Sequence, residues 1–70
     1  MKNNILGSRL RELRIEKKLL IKNVAKELGV SPMAYNHYEL GDREPPLDVL
    51  ISLCEYFNVS ADYLLGRVDY

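Results

Sequence analysis

The sequence predicts an all-α domain, a compact bundle of five short helices in which the second and third are joined by a three-residue turn. Three observations carry that reading. No stretch of four or more residues alternates apolar with polar while using β-branched types, so nothing marks a strand. Apolar side chains recur instead at steps of three and four along almost the whole chain. Only Gly29-Val30-Ser31 separates two of these helical patterns. With 70 residues the chain is expected to form one domain over 1–70, its core about 5–67. A domain of this size buries only about 60% of its unfolded surface, so the core is thin. At 47% apolar and 29% charged, the composition suits a folded globule.

The elements follow in chain order. Leu6, Leu10 and Leu13 at i, i+4 and i+7 place helix one at about 5–18, with Asn4 as its cap and Lys17-Lys18 at the end the dipole favours. Helix two begins at Leu20-Ile21-Lys22, carries Val24, Ala25 and Leu28, and ends at Gly29. Ser31 is a good N-cap for helix three, and Pro32 fits its first position, where a missing N–H costs nothing. Val30 and Tyr35 can staple that start, and Gly41 closes the helix. The loop Asp42-Arg43-Glu44-Pro45-Pro46 cannot be helical. Helix four runs about 47–57 with a core stripe of Leu47, Leu50, Ile51, Cys54 and Phe57. Ser60 caps a last helix that Gly66 ends.

Inventory excludes several functions. One cysteine allows no intramolecular disulfide and no cysteine zinc site, and one histidine allows no His-rich metal site, so no cofactor is expected. No Ser/His/Asp set, Gly-rich phosphate loop or carboxylate pair at metal spacing appears, so an enzyme is not expected. No apolar run is longer than three residues, as in Leu19-Leu20-Ile21, far below the roughly 20 residues of a membrane helix. Met1-Lys2-Asn3-Asn4 lacks the apolar core of a signal peptide, and a cytoplasmic protein is the expectation.

Charge is balanced overall and uneven along the chain. Residues 1–35 hold eight basic against three acidic side chains, or +5, and residues 36–70 hold two against seven, or −5. Such asymmetry points either to one face for an anionic partner or to two halves that attract each other.

Val24 to Tyr38 is the informative unit. A turn as short as Gly29-Val30-Ser31 forces its helices to cross steeply, the geometry of a helix-turn-helix formed by helices two and three. Four blocks then resemble the lambda-repressor/Cro-type (XRE) helix-turn-helix family: Leu-Gly-Ser-Arg-Leu-Arg-Glu-Leu-Arg (6–14), Val-Ala-Lys-Glu-Leu-Gly-Val-Ser (24–31), Tyr-Glu-Leu-Gly-Asp-Arg-Glu-Pro (38–45) and Phe-Asn-Val-Ser-Ala-Asp-Tyr-Leu-Leu-Gly-Arg (57–67). The resemblance implies a sequence-specific regulator of transcription, repressor-like, that binds double-stranded DNA as a homodimer. Carried over by position, helix three (32–39) would lie in the major groove with Pro32, Met33, Asn36 and His37 toward base edges. Arg14 and Glu39 would form a buried structural ion pair, and Arg43 would meet phosphate.

The residues themselves support parts of this. Asn36 can bond adenine bidentately, His37 can donate to guanine or, when protonated, to phosphate, and Met33 can touch a thymine methyl. Lys17, Lys22 and Lys26 can follow the phosphate backbone. Val49, Leu53 and Tyr56, with Leu65, Val68 and Tyr70, exceed what so small a core holds and are candidates for a dimer face. Four departures stand out. Leu20 and Ile21 replace the Ser or Thr and Gln with which family members commonly begin helix two, Lys18 replaces a helix-ending Gly, Leu40 replaces a frequent Asn, and helix three carries no Arg, Lys or Gln. The last of these, together with the acidic second half of the chain, favours the alternative of a protein-interaction module, an antitoxin or anti-repressor type, that uses the same scaffold to bind a protein partner.

Overall fold

The computed structural model describes residues 4–70, so Lys2 of the basic half lies outside the described residues. These residues form five helices and no strand: α1 Ile5–Glu16, α2 Ile21–Leu28, α3 Pro32–Leu40, α4 Leu47–Phe57 and α5 Ala61–Leu64. The all-α, five-helix reading holds, and most ends fall where local chemistry puts them. Gly29 (φ 71°), Gly41 (φ 84°) and Gly66 (φ 81°) take the left-handed conformation that stops a helix and lets its last carbonyls be satisfied. Asn58 does the same for α4 at φ 55°.

Helix α1 stops at Glu16, two residues before the expected end, because Lys18 adopts φ 57°. The Lys18 N–H bonds the Ile15 carbonyl at 2.9 Å and the Leu19 N–H bonds the Arg14 carbonyl at 3.0 Å. That is the bond pattern of a Schellman end, with a lysine where glycine is the easy choice. The start of α1 also differs from expectation. Asn4 makes no cap; its side-chain amide instead donates to the Glu39 carbonyl at 3.1 Å, tying the start of α1 to α3.

The core collects Leu6 and Leu10 from α1, Val24 and Ala25 from α2, Tyr35 and Tyr38 from α3, Val49, Leu53 and Phe57 from α4, and Leu64 from α5. Helix α3 packs against both α1 and α2, while α4 packs against α2 and α5. Tyr35 and Tyr38 meet edge to face with centroids 6.3 Å apart.

Helix α4 is rotated from the expected stripe. Val49, Leu53 and Phe57 face inward, Leu50 and Cys54 are half-buried, and Leu47 and Ile51 are 73% and 53% exposed. Val49 and Leu53 are therefore core rather than dimer face. The cause is composition: only Asp48, Ser52 and Glu55 are polar in this helix, so its apolar arc is wider than one contact and admits either stripe. Cys54 is only partly covered, yet that burial pushes its thiol pKa up.

Candidate functional site

Ser31 sits in extended backbone and its Oγ accepts the Ala34 N–H at 3.1 Å, which fixes the first turn of α3. From there the 3.6-residue period divides the helix. Tyr35, Tyr38 and Glu39 turn inward. Met33, Asn36, His37 and Leu40, spaced i, i+3, i+4 and i+7, share the outward face, with exposed Pro32 at its edge. Met33 is 73% exposed and Leu40 58%, while Asn36 and His37 are half-buried. The His37 Nδ1 lies 2.7 Å from a carboxylate oxygen of Asp42, just past Gly41.

Six of the basic residues fall into two groups. Lys17, Lys22, Lys26 and Arg43 are exposed, the first at the end of α1, the next two one turn apart on α2, and the last in the loop after α3. Arg9 and Arg14 are instead engaged within the fold. Arg14 grips Glu39 with both arms of its guanidinium, Nε to one carboxylate oxygen at 2.7 Å and Nη2 to the other at 3.1 Å. Its Nη1 also donates to the Leu19 carbonyl at 3.1 Å. The bond to Glu39 holds the Arg14 pKa above its ordinary value against the opposing effect of burial. The Tyr35 hydroxyl is buried beside this pair with no hydrogen-bond partner. Desolvation first, and the Glu39 carboxylate second, hold its pKa far above the usual phenol range.

Three residues escaped the sequence reading. Arg9 donates to the carbonyls of Tyr63 and Val68, the latter at 2.7 Å, lies 4.3 Å over the Tyr63 ring, and pairs with Asp69 at 3.7 Å. It thus ties α1 to the C-terminal segment, and its partners are mostly backbone carbonyls, which leave no sequence mark. Asp42 reads in the sequence only as a charge of the loop, and its place just past the helix-ending Gly41 is the signal that sets it beside the last turn. Leu40 shares the period of Met33, Asn36 and His37, and that spacing was the available signal.

Among the described residues no group of three or more His, Cys, Asp and Glu could hold a metal ion. Among the described residues no helix is long and apolar enough to cross a membrane.

The sequence model of the helix-turn-helix family matches residues 10–64. The chain is 41% identical over 61 residues to the uncharacterized HTH-type transcriptional regulator YobD of Bacillus subtilis, covering 87% of this chain and 54% of that protein. It is 39% identical over 62 residues to the HTH-type transcriptional regulator ImmR of the same organism, covering 89% of this chain and 49% of that one. The chain spans about half the length of the curated relatives it matches. The crystal structure of the P22 c2 repressor in complex with a synthetic operator matches with a TM-score of 0.81 at 32% identity, over 84% of this chain and 89% of that one. The clp gene regulator ClgR of Corynebacterium glutamicum matches with a TM-score of 0.80 at 28% identity, over 91% and 68%. The chain, with its helix-turn-helix at 21–40 packed as in these repressors and regulators, belongs to the XRE-type helix-turn-helix family.

Proposed function

We propose that the chain is the DNA-binding part of a repressor-like transcription regulator, and that α3 reads double-stranded DNA in the major groove. The observation that carries this is the outward row Met33, Asn36, His37 and Leu40 on a helix whose surroundings match a repressor solved on its operator. In this reading Asn36 bonds a base edge, Met33 contacts a thymine methyl, Pro32 shapes the approach, and His37 adds a second polar contact. Lys17, Lys22, Lys26 and Arg43 lie along phosphates and set the register. Arg14 and Glu39 are structural and hold α3 against α1. Two copies bind a pseudo-palindrome, with the exposed Leu47 and Ile51 of α4 as the apolar surface for their contact. The protein acts in the cytoplasm without metal, cofactor or catalysis.

The test is a titration of promoter, inverted-repeat and random duplexes at several salt concentrations. With about 4–6 phosphates neutralised per dimer, the log–log slope is expected at about −3.5 to −5.5. Asn36→Ala should relax one base pair, whereas Arg43→Ala should weaken all sequences alike. A second reading, a protein partner on the same face, draws on the exposed apolar Met33 and Leu40 at the two ends of the row. Absence of duplex binding even at low salt would overturn the first reading in favour of the second.

A further inference from the structure

We infer that Asp42 fixes the proton of His37 on Nδ1 and so makes the outer ring nitrogen, Nε2, an acceptor that selects bases bearing an exocyclic amino group. The inference rests on the reading that α3 faces the major groove, and it deepens that reading to a chemical class of base. Gly41 at φ 84° folds the chain back after α3 and brings Asp42 beside the last turn. There an Asp42 carboxylate oxygen lies 2.7 Å from His37 Nδ1. A carboxylate can only accept, so the proton of that bond belongs to Nδ1. A neutral imidazole has one N–H, and Nε2 is then left with its lone pair. The same logic orients metal-binding histidines, where a carboxylate on one nitrogen fixes the tautomer at the other.

In the major groove adenine offers its N6 amino group and cytosine its N4 amino group, whereas guanine and thymine offer the O6 and O4 carbonyls. An acceptor at Nε2 is complementary to the first pair and repels the second. Asp42 is therefore a positioning residue, and His37 discriminates amino from keto bases, the reverse of the donation to guanine that an isolated histidine permits. The other charged groups near this corner are Glu39, which faces inward to Arg14, and Arg43 and Glu44 in the exposed loop that follows; Arg43 can only donate.

Two measurements test this. His37 is the only histidine, so nitrogen-15 NMR of the free protein at pH 8.5 reports its tautomer without ambiguity. The Nδ1–H form should dominate, and Asp42→Ala should shift the population toward Nε2–H. Observation of the Nε2–H form in the unmodified protein would overturn the inference with no DNA present. Selection of duplexes from a random pool supplies the second measurement. The unmodified protein should show one position restricted to adenine or cytosine, favoured about three- to tenfold over guanine or thymine. That preference should vanish in both His37→Ala and Asp42→Ala. Asp42→Ala should meanwhile bind duplexes bearing guanine or thymine at that position more tightly, because it removes a negative charge from the DNA-facing side. Asp42 is exposed, and an unchanged thermal melt of the variant would show that folding is not at issue. Duplex binding with an identical motif in Asp42→Ala overturns this inference alone; no binding by the unmodified protein overturns the α3 reading and this one together.

Discussion

Gly7 of α1 lies directly against the main chain of Glu39 on α3. A Cβ at Gly7 would collide with the Glu39 carbonyl oxygen and stand 2.8 Å from the Tyr38 carbonyl oxygen. Both are backbone atoms and cannot swing aside. The Asn4 side chain bonds the same Glu39 carbonyl, so the crossing is held as well as close. This contact sets the attitude of α3, and with it the direction of its outward row.

Gly7→Ala tests how rigid the crossing is. Alanine in a helix gains about 1 kcal/mol over glycine. Forcing a methyl into a packed contact costs about 1–3 kcal/mol, and here the obstacle is a pair of carbonyls. A net loss of up to about 2 kcal/mol in urea melts is expected. A stabilised variant would mean that the helices can part without cost.

The Arg14–Glu39 pair joins the same two helices through side chains. The Glu39 side chain is only 4% exposed, and that of Arg14 is 14% exposed. Glu39→Gln leaves the guanidinium facing a neutral amide in a place that water barely reaches. Breaking one half of a buried pair costs about 3–5 kcal/mol, enough to bring so small a domain close to unfolding. A change under about 1 kcal/mol in denaturant melts would show that solvent screens the pair.

The Tyr35 hydroxyl, buried and without a partner, gives the fold a liability at high pH. Its folded pKa is raised by desolvation and then by Glu39, so the native state holds the proton more tightly than the unfolded chain. Stability is then complete below the ordinary phenol pKa of about 10 and falls as pH rises past it, because only the unfolded chain ionises readily. The hydroxyl lies against the Arg14–Glu39 pair, so near neutrality Tyr35→Phe should change stability by no more than about 1 kcal/mol. It should also flatten the alkaline limb of the stability curve. Melts at pH 7 and pH 10.5 on both proteins check this; equal alkaline losses would place the sensitivity elsewhere.

Helix ends were legible because Gly29, Gly41, Ser31, Pro32 and Ser60 act on the backbone within their own turn. Lys18 is the exception: it stands where the family has a helix-ending Gly, but a lysine rarely takes φ 57°, so the residue type by itself carries α1 past Glu16. The facing of α4 was not legible, since an apolar arc that includes Leu47, Ile51, Val49 and Leu53 fits the core in more than one rotation. In the candidate site the outward placing of Met33, Asn36 and His37 was legible through the resemblance to the family, and the helical period adds Leu40 to them. The Asp42–His37 contact was not, because it depends on how the left-handed Gly41 aims the chain after the helix.

Leu20 offers the last prediction. It occupies the N-cap of α2 with extended backbone, φ −91° and ψ 156°, which suits a capping residue. Its side chain can accept nothing. Half of a capping box is already present, since Asn23 Oδ1 accepts the Leu20 N–H at 2.9 Å. The Asn23 N–H, which a cap side chain would serve, bonds only the Leu20 carbonyl at 3.0 Å. Leu20→Ser completes the box and gains about 0.5–2 kcal/mol. The opposing effect is lost burial. Full burial of a leucine is worth about 1.5–3 kcal/mol, and Leu20 is 58% exposed, so less than half of that is at stake. The cap should win narrowly, by about 0.5 kcal/mol, which raises Tm by roughly 2–4 °C in a domain of this size. Melts at several protein concentrations decide it. A lower Tm that also grows more concentration-dependent would mean that the exposed part of Leu20 is covered by a second copy, and that the apolar residue is kept at the cap for that contact.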